Sequence, residues 1–258
     1  MDLGLKDKVA IVTGASRGIG KGIATALGLE GCKLSICARN DEDLRNSAAE
    51  LRAQNIEVLD LQLDITVAED CSQLVADTVE EYDRIDILVN NVGGNIRKVF
   101  EETSDADWEN IINLNLTSHI KVSRHVVQHM KKNGSGSIIF IASIFGREAG
   151  GSTLAIYNTT KSGIISLAKI MAIELAPFGI RVNTIAPGSI LFPGGSWDRR
   201  CKQDPEGIKK FIERELPFGR FGTVEEIANV VTFLASEKAS WIAGACINVD
   251  GGQSRSLI

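Results

Sequence analysis

Short apolar runs rich in β-branched residues recur along the chain, separated by longer stretches with helical spacing. The runs are KVAIVT, KLSIC, EVLDLQL, DILVN, GSIIFIAS, IRVNTIA and ACINV. Between them lie GIGKGIATALGLEG, DEDLRNSAAELRAQ, VAEDCSQLVADTVEEY and DWENIINLNLTSHIKVSRHVVQHMKK, then a stretch around YNTTKSGIISLAKIMAIEL, and VEEIANVVTFLAS. Strand and helix in regular turn predict βαβ units and a mostly parallel sheet. Strands that are apolar almost throughout, rather than alternating, predict a sheet covered on both faces. Seven strands and no low-complexity linker predict one α/β domain over residues 1–258.

Two architectures fit such an alternation: a closed eightfold barrel and an open doubly wound sheet. The first turn separates them. VTGASRGIG follows the first strand directly and opens a helix. Gly14, Gly18 and Gly20 allow a tight turn and a close approach of backbone. A helix N-terminus behind such a turn offers free N–H groups and a positive dipole end to a phosphate. A glycine-rich turn in the first βαβ unit is where a dinucleotide site belongs in a doubly wound (Rossmann) sheet.

Composition narrows the function further. Hydrophobic residues make up 44% and charged residues 24% of the 258 residues, ordinary values for a globular chain with a sizeable core. The net charge is −5 and no Lys/Arg-rich block occurs, which argues against nucleic acid as a partner. MDLGLKDK lacks the apolar core of a signal peptide, and no uncharged apolar run of about 18 residues occurs. Cys32, Cys37, Cys71, Cys201 and Cys246 are scattered, with no CxxC pair, as expected for reduced thiols in a cytoplasmic protein. His125 and His129 have an i,i+4 spacing able to hold zinc, but no third ligand accompanies them, so no metal is expected. Together with His119 they are expected on a helix surface or at a subunit contact. Trp108 is expected at the start of its helix, behind a cap at Ser104 or Asp105, and Trp241 in the core or an interface.

The glycine spacing G-x-x-x-G-x-G, NNVG at residues 90–93, Ser143 and YNTTK at residues 157–161 together resemble the short-chain dehydrogenase/reductase family. The similarity runs from about residue 6 to the DGG at residues 250–252. It implies a doubly wound sheet, a nicotinamide dinucleotide and hydride transfer between an alcohol and a carbonyl. It also implies a catalytic set of Asn115, Ser143, Tyr157 and Lys161. On a helix, Tyr157 and Lys161 share a face one turn apart. A free phenol has a pKa near 10, and a nearby ammonium favours the phenolate, so Lys161 is expected to lower the pKa of Tyr157. Tyr157 would donate the proton in reduction and accept it in oxidation. Ser143 would hydrogen-bond the substrate oxygen. Asn115, in NLNLTS, matches the family's helix asparagine that supports a water relay to the lysine. Asn113 is its near neighbour in sequence.

The same resemblance assigns the dinucleotide contacts to Gly14, Ser16, Arg17, Gly18, Ile19, Gly20, Ala38, Arg39, Asp64, Asn90, Gly93, Pro187, Gly188 and Ile190, with Tyr157 and Lys161 on the nicotinamide ribose. An NAD enzyme of this fold places an acid after the second strand for the ribose 2′-hydroxyl. Here Ala38 occupies that place, Arg39 follows it, and Arg17 lies in the glycine turn. Two arginines converging on the ribose suit a 2′-phosphate, so NADP(H) is expected. Many relatives close the loop after the sixth strand with a threonine. The matching place here is Phe192, and Ser189 is the available substitute.

Residues 191–216 form the least regular stretch, with two prolines and the pair Gly194 and Gly195. The resemblance makes this region, about 189–216, a mobile lid over the substrate. Ile144, Phe145, Leu154, Phe192 and Trp197 are candidate pocket walls. Arg147, Arg199 and Arg200 are candidates to meet an anionic substrate. Among family members the chain is most similar to the 3-oxoacyl-(acyl-carrier-protein) reductase group, which implies reduction of a ketone, including a carrier-bound acyl chain. Oxidation of a sugar, polyol or steroid alcohol, and a sensor that binds the dinucleotide without catalysis, are the other readings. The resemblance also implies a homotetramer built through the helices carrying Asn115 and Tyr157 and through the last strand.

Overall fold

In a computed structural model, described here for residues 2–257, seven strands form one parallel sheet in the order β3-β2-β1-β4-β5-β6-β7. The strands are β1 (Val9–Thr13), β2 (Lys33–Ala38), β3 (Val58–Gln62), β4 (Ile87–Asn90), β5 (Gly136–Ile141), β6 (Ile180–Pro187) and β7 (Cys246–Val249). Every residue of β1 and β4 is buried, because helices cover both faces of the sheet's centre. The helices α1 (Gly18–Leu29) and α2 (Asp41–Arg52) lie on one face. They share a core with α9 (Val224–Ala235), in which Ile23, Leu27, Leu44, Leu51, Ile227 and Val231 meet the strand residues Val12, Ile36 and Ile185. On the other face α3 (Ala68–Tyr82), α5 (Ser118–Asn133) and α6 (Ala155–Leu175) enclose a second core around Leu74, Val122, Met130, Phe140 and Ile164. Each such side chain contributes roughly 1.5–3 kcal/mol when fully buried, so the two layers hold the sheet from both sides.

The strand order reverses at β1. Its neighbours are β2, with Val12 beside Ile36, and β4, with Val12 beside Val89. In an open parallel sheet the crevice outside the carboxyl ends at such a switch is the ligand site. The remaining helices are α4 (Asp105–Ile112), α7 (Ser196–Gln203) and α8 (Pro205–Glu215). Ser104 caps α4 in a reciprocal capping box with Asp107, leaving Trp108 in its first turn.

The stretch expected to be irregular contains α7 and α8. Gly195 stands at the start of α7; Asp204 accepts from the Gly207 N–H, and Pro205 is the first residue of α8. Proline and glycine here start helices rather than break them.

Two aromatic and histidine expectations are corrected. Trp241, expected in the core or an interface, is 97% exposed in the protomer, so the core half of that expectation is overturned and the interface half stands untouched. His119 is fully buried, not on the helix surface. Its Nε2 lies 2.9 Å from the Val92 carbonyl, which makes that nitrogen the donor, and burial holds the pKa down at about 3, which keeps the ring neutral. All five cysteines are free thiols.

Candidate active site

The glycine turn follows β1 and is held from below by the next strand. Asn91 Nδ2 donates to Thr13 O at 3.0 Å and Gly14 O at 3.2 Å, and the Asn91 N–H donates to Thr13 Oγ1 at 3.0 Å. Gly14 and Gly18 have φ values of +67° and +56°, where a side chain would be strained. A Cβ at Gly20 would run into Gly14 O and lie 2.5 Å from Asn91 Nδ2. Asn40, Ser104, Asp204 and Thr223 cap α2, α4, α8 and α9 with side-chain acceptors. α1 has neither a side-chain cap nor an acid in its first turn. Its leading N–H groups, including those of Gly18, Ile19 and Gly20, lie behind the partly exposed Ser16 and exposed Arg17. A flat glycine cradle and an uncapped positive helix end fit a diphosphate.

The adenine side departs in part from expectation. Ala38 ends β2, so no acid stands there. Asp64, just beyond β3, accepts from the Thr66 N–H and hydroxyl and pairs with Arg39 at 3.7 Å. Arg17 instead leans toward the lid: its Nη1 would lie 3.8 Å from a Cβ at Gly194. The two arginines thus face different neighbours in this structure. Asn90 is also placed differently. It is fully buried, and its Nδ2 donates to Ser123 Oγ on α5 at 3.0 Å, so it does not line the cleft. Its neighbour Asn91 reaches the glycine turn instead, because successive strand residues face opposite sides.

At the carboxyl end of β5, Ser143 is extended and buried, and the Phe145 N–H donates to its Oγ at 3.2 Å. The short turn over Ile144–Gly146 packs against α6, where a Cβ at Gly146 would lie 2.8 Å from Lys161 O. Tyr157 and Lys161 occupy one face of α6, with Lys161 Nζ 5.7 Å from the centre of the tyrosine ring. Nζ donates to Ile141 O at 2.9 Å, is buried, and faces Gly93, where a Cβ would lie 3.4 Å from it. Burial lowers the Lys161 pKa to about 8.

Burial also raises the Tyr157 pKa above its ordinary value, while the Ser143 hydroxyl and the charge of Arg97 pull it down. The expected lowering by Lys161 is thus replaced by Ser143 and Arg97. Arg97, in the segment after β4, was missed in the sequence reading. Only its place a few residues beyond NNVG hinted at it.

Asn115 sits in a π-helical turn, Asn113–Thr117, that joins α4 to α5. One extra residue in a turn is a common device for aiming a side chain at a site. Its Oδ1 accepts from the Gly94 N–H at 2.8 Å, and its Nδ2 donates to Gly94 O and Thr160 Oγ1, each at 3.0 Å. Asn113 turns elsewhere, donating to Thr66 O at 3.2 Å.

On the nicotinamide side, the Gly188 N–H donates to Val249 O at 3.1 Å and the Ser189 N–H to Gln253 Oε1 at 2.8 Å. Ile190 bridges to Gly222 in parallel register, which continues the line of β6 beyond Pro187. Gln253 is a second residue the sequence reading missed: it anchors the loop whose family threonine is absent here.

The candidate pocket walls separate into three groups. Ile144 and Leu154 are buried, and Leu154 also lines a cavity of ≈ 390 Å³ with Phe100, Glu101, Ser152 and Asn158. A Cβ at Gly150, also on that cavity, would lie 2.8 Å from the Phe145 ring. Phe192 lies across the glycine turn: a Cβ at Gly18 would be 2.6 Å from its Cε2. That contact places it on the dinucleotide side. Trp197 stacks on Phe211 at 4.6 Å and meets Phe221 at 5.0 Å, holding the lid helices together. Of the candidate anion-binding arginines, Arg147 donates to Cys246 O and Asn248 Oδ1. Arg199 donates to Gly194 O. Arg147 is thus tied to β7, and Arg199 to its own lid loop.

The comparisons agree with this geometry. The family model described as enoyl-(acyl carrier protein) reductase matches residues 14–254. The chain belongs to the short-chain dehydrogenase/reductase family. It is 36% identical over 253 residues to the 3-oxoacyl-(acyl-carrier-protein) reductase FabG of Aquifex aeolicus, covering 98% of this chain and 99% of that one. The structure of L-sorbose reductase from Gluconobacter frateurii, complexed with NADPH and L-sorbose, superposes with a TM-score of 0.95 at 33% identity over 100% of both chains. A 7α-hydroxysteroid dehydrogenase complexed with NADH and a 7-oxo bile acid superposes with a TM-score of 0.90 at 32% identity, over 98% of this chain and 97% of that one. As a member of the family, this chain is an oxidoreductase of carbonyl and alcohol groups that uses a nicotinamide dinucleotide. Among the described residues no helix is long and apolar enough to cross a membrane, and no cluster of three or more potential metal ligands occurs.

Proposed function

We propose that the protein is an NADPH-dependent reductase of a ketone, with Tyr157 as the proton donor. One observation carries this reading: Ser143 and Lys161 meet Tyr157 at the carboxyl ends of the central strands, beside the uncapped glycine turn. Bound NADPH supplies the hydride to the carbonyl carbon. The Ser143 hydroxyl donates a hydrogen bond to the carbonyl oxygen and holds it near the phenol. Tyr157 then gives its proton to that oxygen, so the C=O becomes CH–OH. A phenol kept protonated by burial is already in the right state for this step at neutral pH. Lys161, with a single hydrogen bond to Ile141 O, has further N–H donors for the ribose hydroxyls.

The diphosphate would lie on Gly14, Ser16, Gly18, Ile19 and Gly20, with Asp64 near the adenine and Gly93, Pro187, Gly188 and Ile190 along the cleft. Arg17 and Arg39 would swing onto a 2′-phosphate. Both are exposed, and an exposed pair such as Arg39 with Asp64 contributes about 0–1 kcal/mol, little enough to give way. The NADPH of the sorbose reductase complex supports this choice.

Residues 189–216 would close as a lid within a single domain, and the chain would assemble as a homotetramer. Ile170 and Ile173 support that assembly: they are 52% and 64% exposed on α6, an apolar patch with no cover within the protomer. Sedimentation that finds a monomer at micromolar concentration would remove the tetramer.

The test of function is NADPH and NADH consumption by the purified protein against ketones of several classes: a 3-oxoacyl thioester, a ketohexose, a diketone and a steroid. Turnover with NADPH well above that with NADH is expected. Binding of the dinucleotide without turnover in either direction on any ketone or alcohol would overturn the reading.

A further inference from the structure

The segment after β7 runs across the mouth of the site. β7 ends at Val249, and Asp250 turns the chain back: its carboxylate accepts from the Gly252 N–H at 3.0 Å and the Ser254 N–H at 2.8 Å. The turned segment then touches three loops around the reacting groups. Gln253 Oε1 accepts from the Ser189 N–H on the nicotinamide side at 2.8 Å. Gly251 lies against the end of the lid, where a Cβ would be 3.2 Å from the Phe218 ring, and Arg255 reaches Glu215 of α8 at 4.0 Å. Glu148, on the loop between β5 and α6, takes two hydrogen bonds on one carboxylate oxygen, from Ser254 Oγ at 3.0 Å and from the Arg255 N–H at 2.9 Å. The exposed Arg255–Glu215 pair is weak, whereas hydrogen bonds to a carboxylate are roughly twice as strong as neutral ones.

Glu148 is placed to pass that grip on. Its N–H donates to Ile144 O at 3.1 Å, in the turn that follows Ser143. Its carbonyl accepts from the side chain of Asn158, the residue after Tyr157, at 2.8 Å. From Glu148 the loop runs through Gly150 and Gly151 to Thr153 and Leu154. Thr153 has a φ of +71°, a conformation costly for a β-branched residue, which persists only where the surroundings hold it. Leu154 follows directly, buried, and opens α6. A strained stretch of this kind needs a fixed end on each side. α6 supplies one, and Glu148, tied to the segment after β7, supplies the other.

We propose that Glu148 is a positioning residue for the substrate. Ser254 and the Arg255 backbone, clasped to its carboxylate, hold the loop from Ile144 to Leu154 as the wall against which the ketone lies. This rests on the reductase reading and adds to it the contact that sets ketone affinity. The clasp touches no reacting atom, so its loss loosens the ketone while the proton step and the dinucleotide's hold are kept.

The experiment follows NADPH-dependent reduction of acetoacetyl-CoA, L-sorbose, diacetyl and a 7-oxo bile acid by the full chain as wild type, E148A, S254A and E148Q. For the ketone that the wild type reduces best, E148A should raise KM tenfold or more, with kcat and the KM for NADPH each within threefold of wild type. S254A, which removes one of the two donors, should give a smaller rise of the same kind, and it decides alone if E148A does not fold. E148Q keeps an amide oxygen able to accept from both donors and should hold KM within threefold of wild type. Amide hydrogen exchange over residues 147–156 should quicken in E148A and S254A but not in E148Q. An unchanged ketone KM in E148A and S254A overturns the clasp. So does a loss shared equally by kcat and both KM values, which is what general damage to the fold would give. E148Q as impaired as E148A overturns it too, because the charge rather than the hydrogen bonds would then matter. In each of these cases wild-type turnover leaves the reductase reading standing, whereas a wild type that reduces no ketone removes both.

Discussion

Asn115 grips Gly94 by both of its backbone groups, accepting from its N–H at 2.8 Å and donating to its carbonyl at 3.0 Å. The same amide donates to Thr160 Oγ1, which in turn donates to the Tyr157 carbonyl at 2.9 Å. One buried side chain therefore ties the loop after β4 to the helix turn that carries the phenol. Both Nδ2 protons are used, so a water relay through this side chain has only the second lone pair of Oδ1 to work with. Asn115→Ala leaves Gly94 N–H and O without these partners, which costs about 1–3 kcal/mol. Stability in urea should fall by that amount. The kcat should drop tenfold or more while NADPH affinity at the glycine turn changes little. An unchanged kcat would show that the grip on Gly94 is structural only.

The proton step predicts a pH signature. Burial raises the Tyr157 pKa, so the phenol stays protonated through neutral pH, and reduction should hold its rate from pH 6 to 8. Oxidation of the product alcohol needs the phenolate, and its rate should climb toward alkaline pH. Tyr157→Phe removes the donor and should lower kcat by about 10²–10⁴-fold, with dinucleotide binding retained. Reduction that survives this change would mean that another group delivers the proton.

Much of this was legible because it depends on local spacing. The apolar runs marked all seven strands, and the turn after β1 and the pair on α6 are contained in stretches of a few residues. What escaped depends on contacts between distant elements. The long polar helix gave no sign that His119 would be buried, since its partner carbonyl is 27 residues away. NN at residues 90–91 shows two amides but not which one faces the cleft; that phase is fixed by packing against α5. Arg97 bears on Tyr157 only through the tertiary fold, 60 residues apart in sequence. In the lid, Gly195, Asp204 and Pro205 are helix-start residues, easily read as breakers when no apolar stripe follows them.

Cofactor choice can be reversed at the end of β2. Ala38 stands where an acid would hold a ribose 2′-hydroxyl, and the exposed Arg39 has only a loosely paired, partly buried Asp64 to leave. Ala38→Asp brings a carboxylate against a 2′-phosphate and offers it to a hydroxyl instead. The ratio of kcat/KM for NADPH to that for NADH should fall about 10- to 100-fold, since each tenfold step is about 1.4 kcal/mol. Arg17→Ala should weaken NADPH and spare NADH. A preference that stays put in both variants would place the adenosine ribose elsewhere.

His119 makes stability pH-dependent in a defined direction. Folded, its ring is neutral, with a pKa of about 3 set chiefly by burial; unfolded, it returns to about 6.5. Between those values the unfolded chain binds the extra proton. Its stabilising effect is therefore complete above about pH 6.5 and is lost as the pH falls toward 3. The slope from this one group is about 1.4 kcal/mol per pH unit. Lys161, the nearest cation acting on the ring, keeps its charge through this window and so opposes protonation throughout. His119→Gln keeps a donor for Val92 O but has no proton to gain. The variant should be less stable at pH 7, yet lose less with acid than the wild type does between pH 6.5 and 5. Urea unfolding at half-unit steps would show the two curves converging. Parallel curves would mean that the ring is protonated in the fold, and that Val92 shares its carbonyl with a cation.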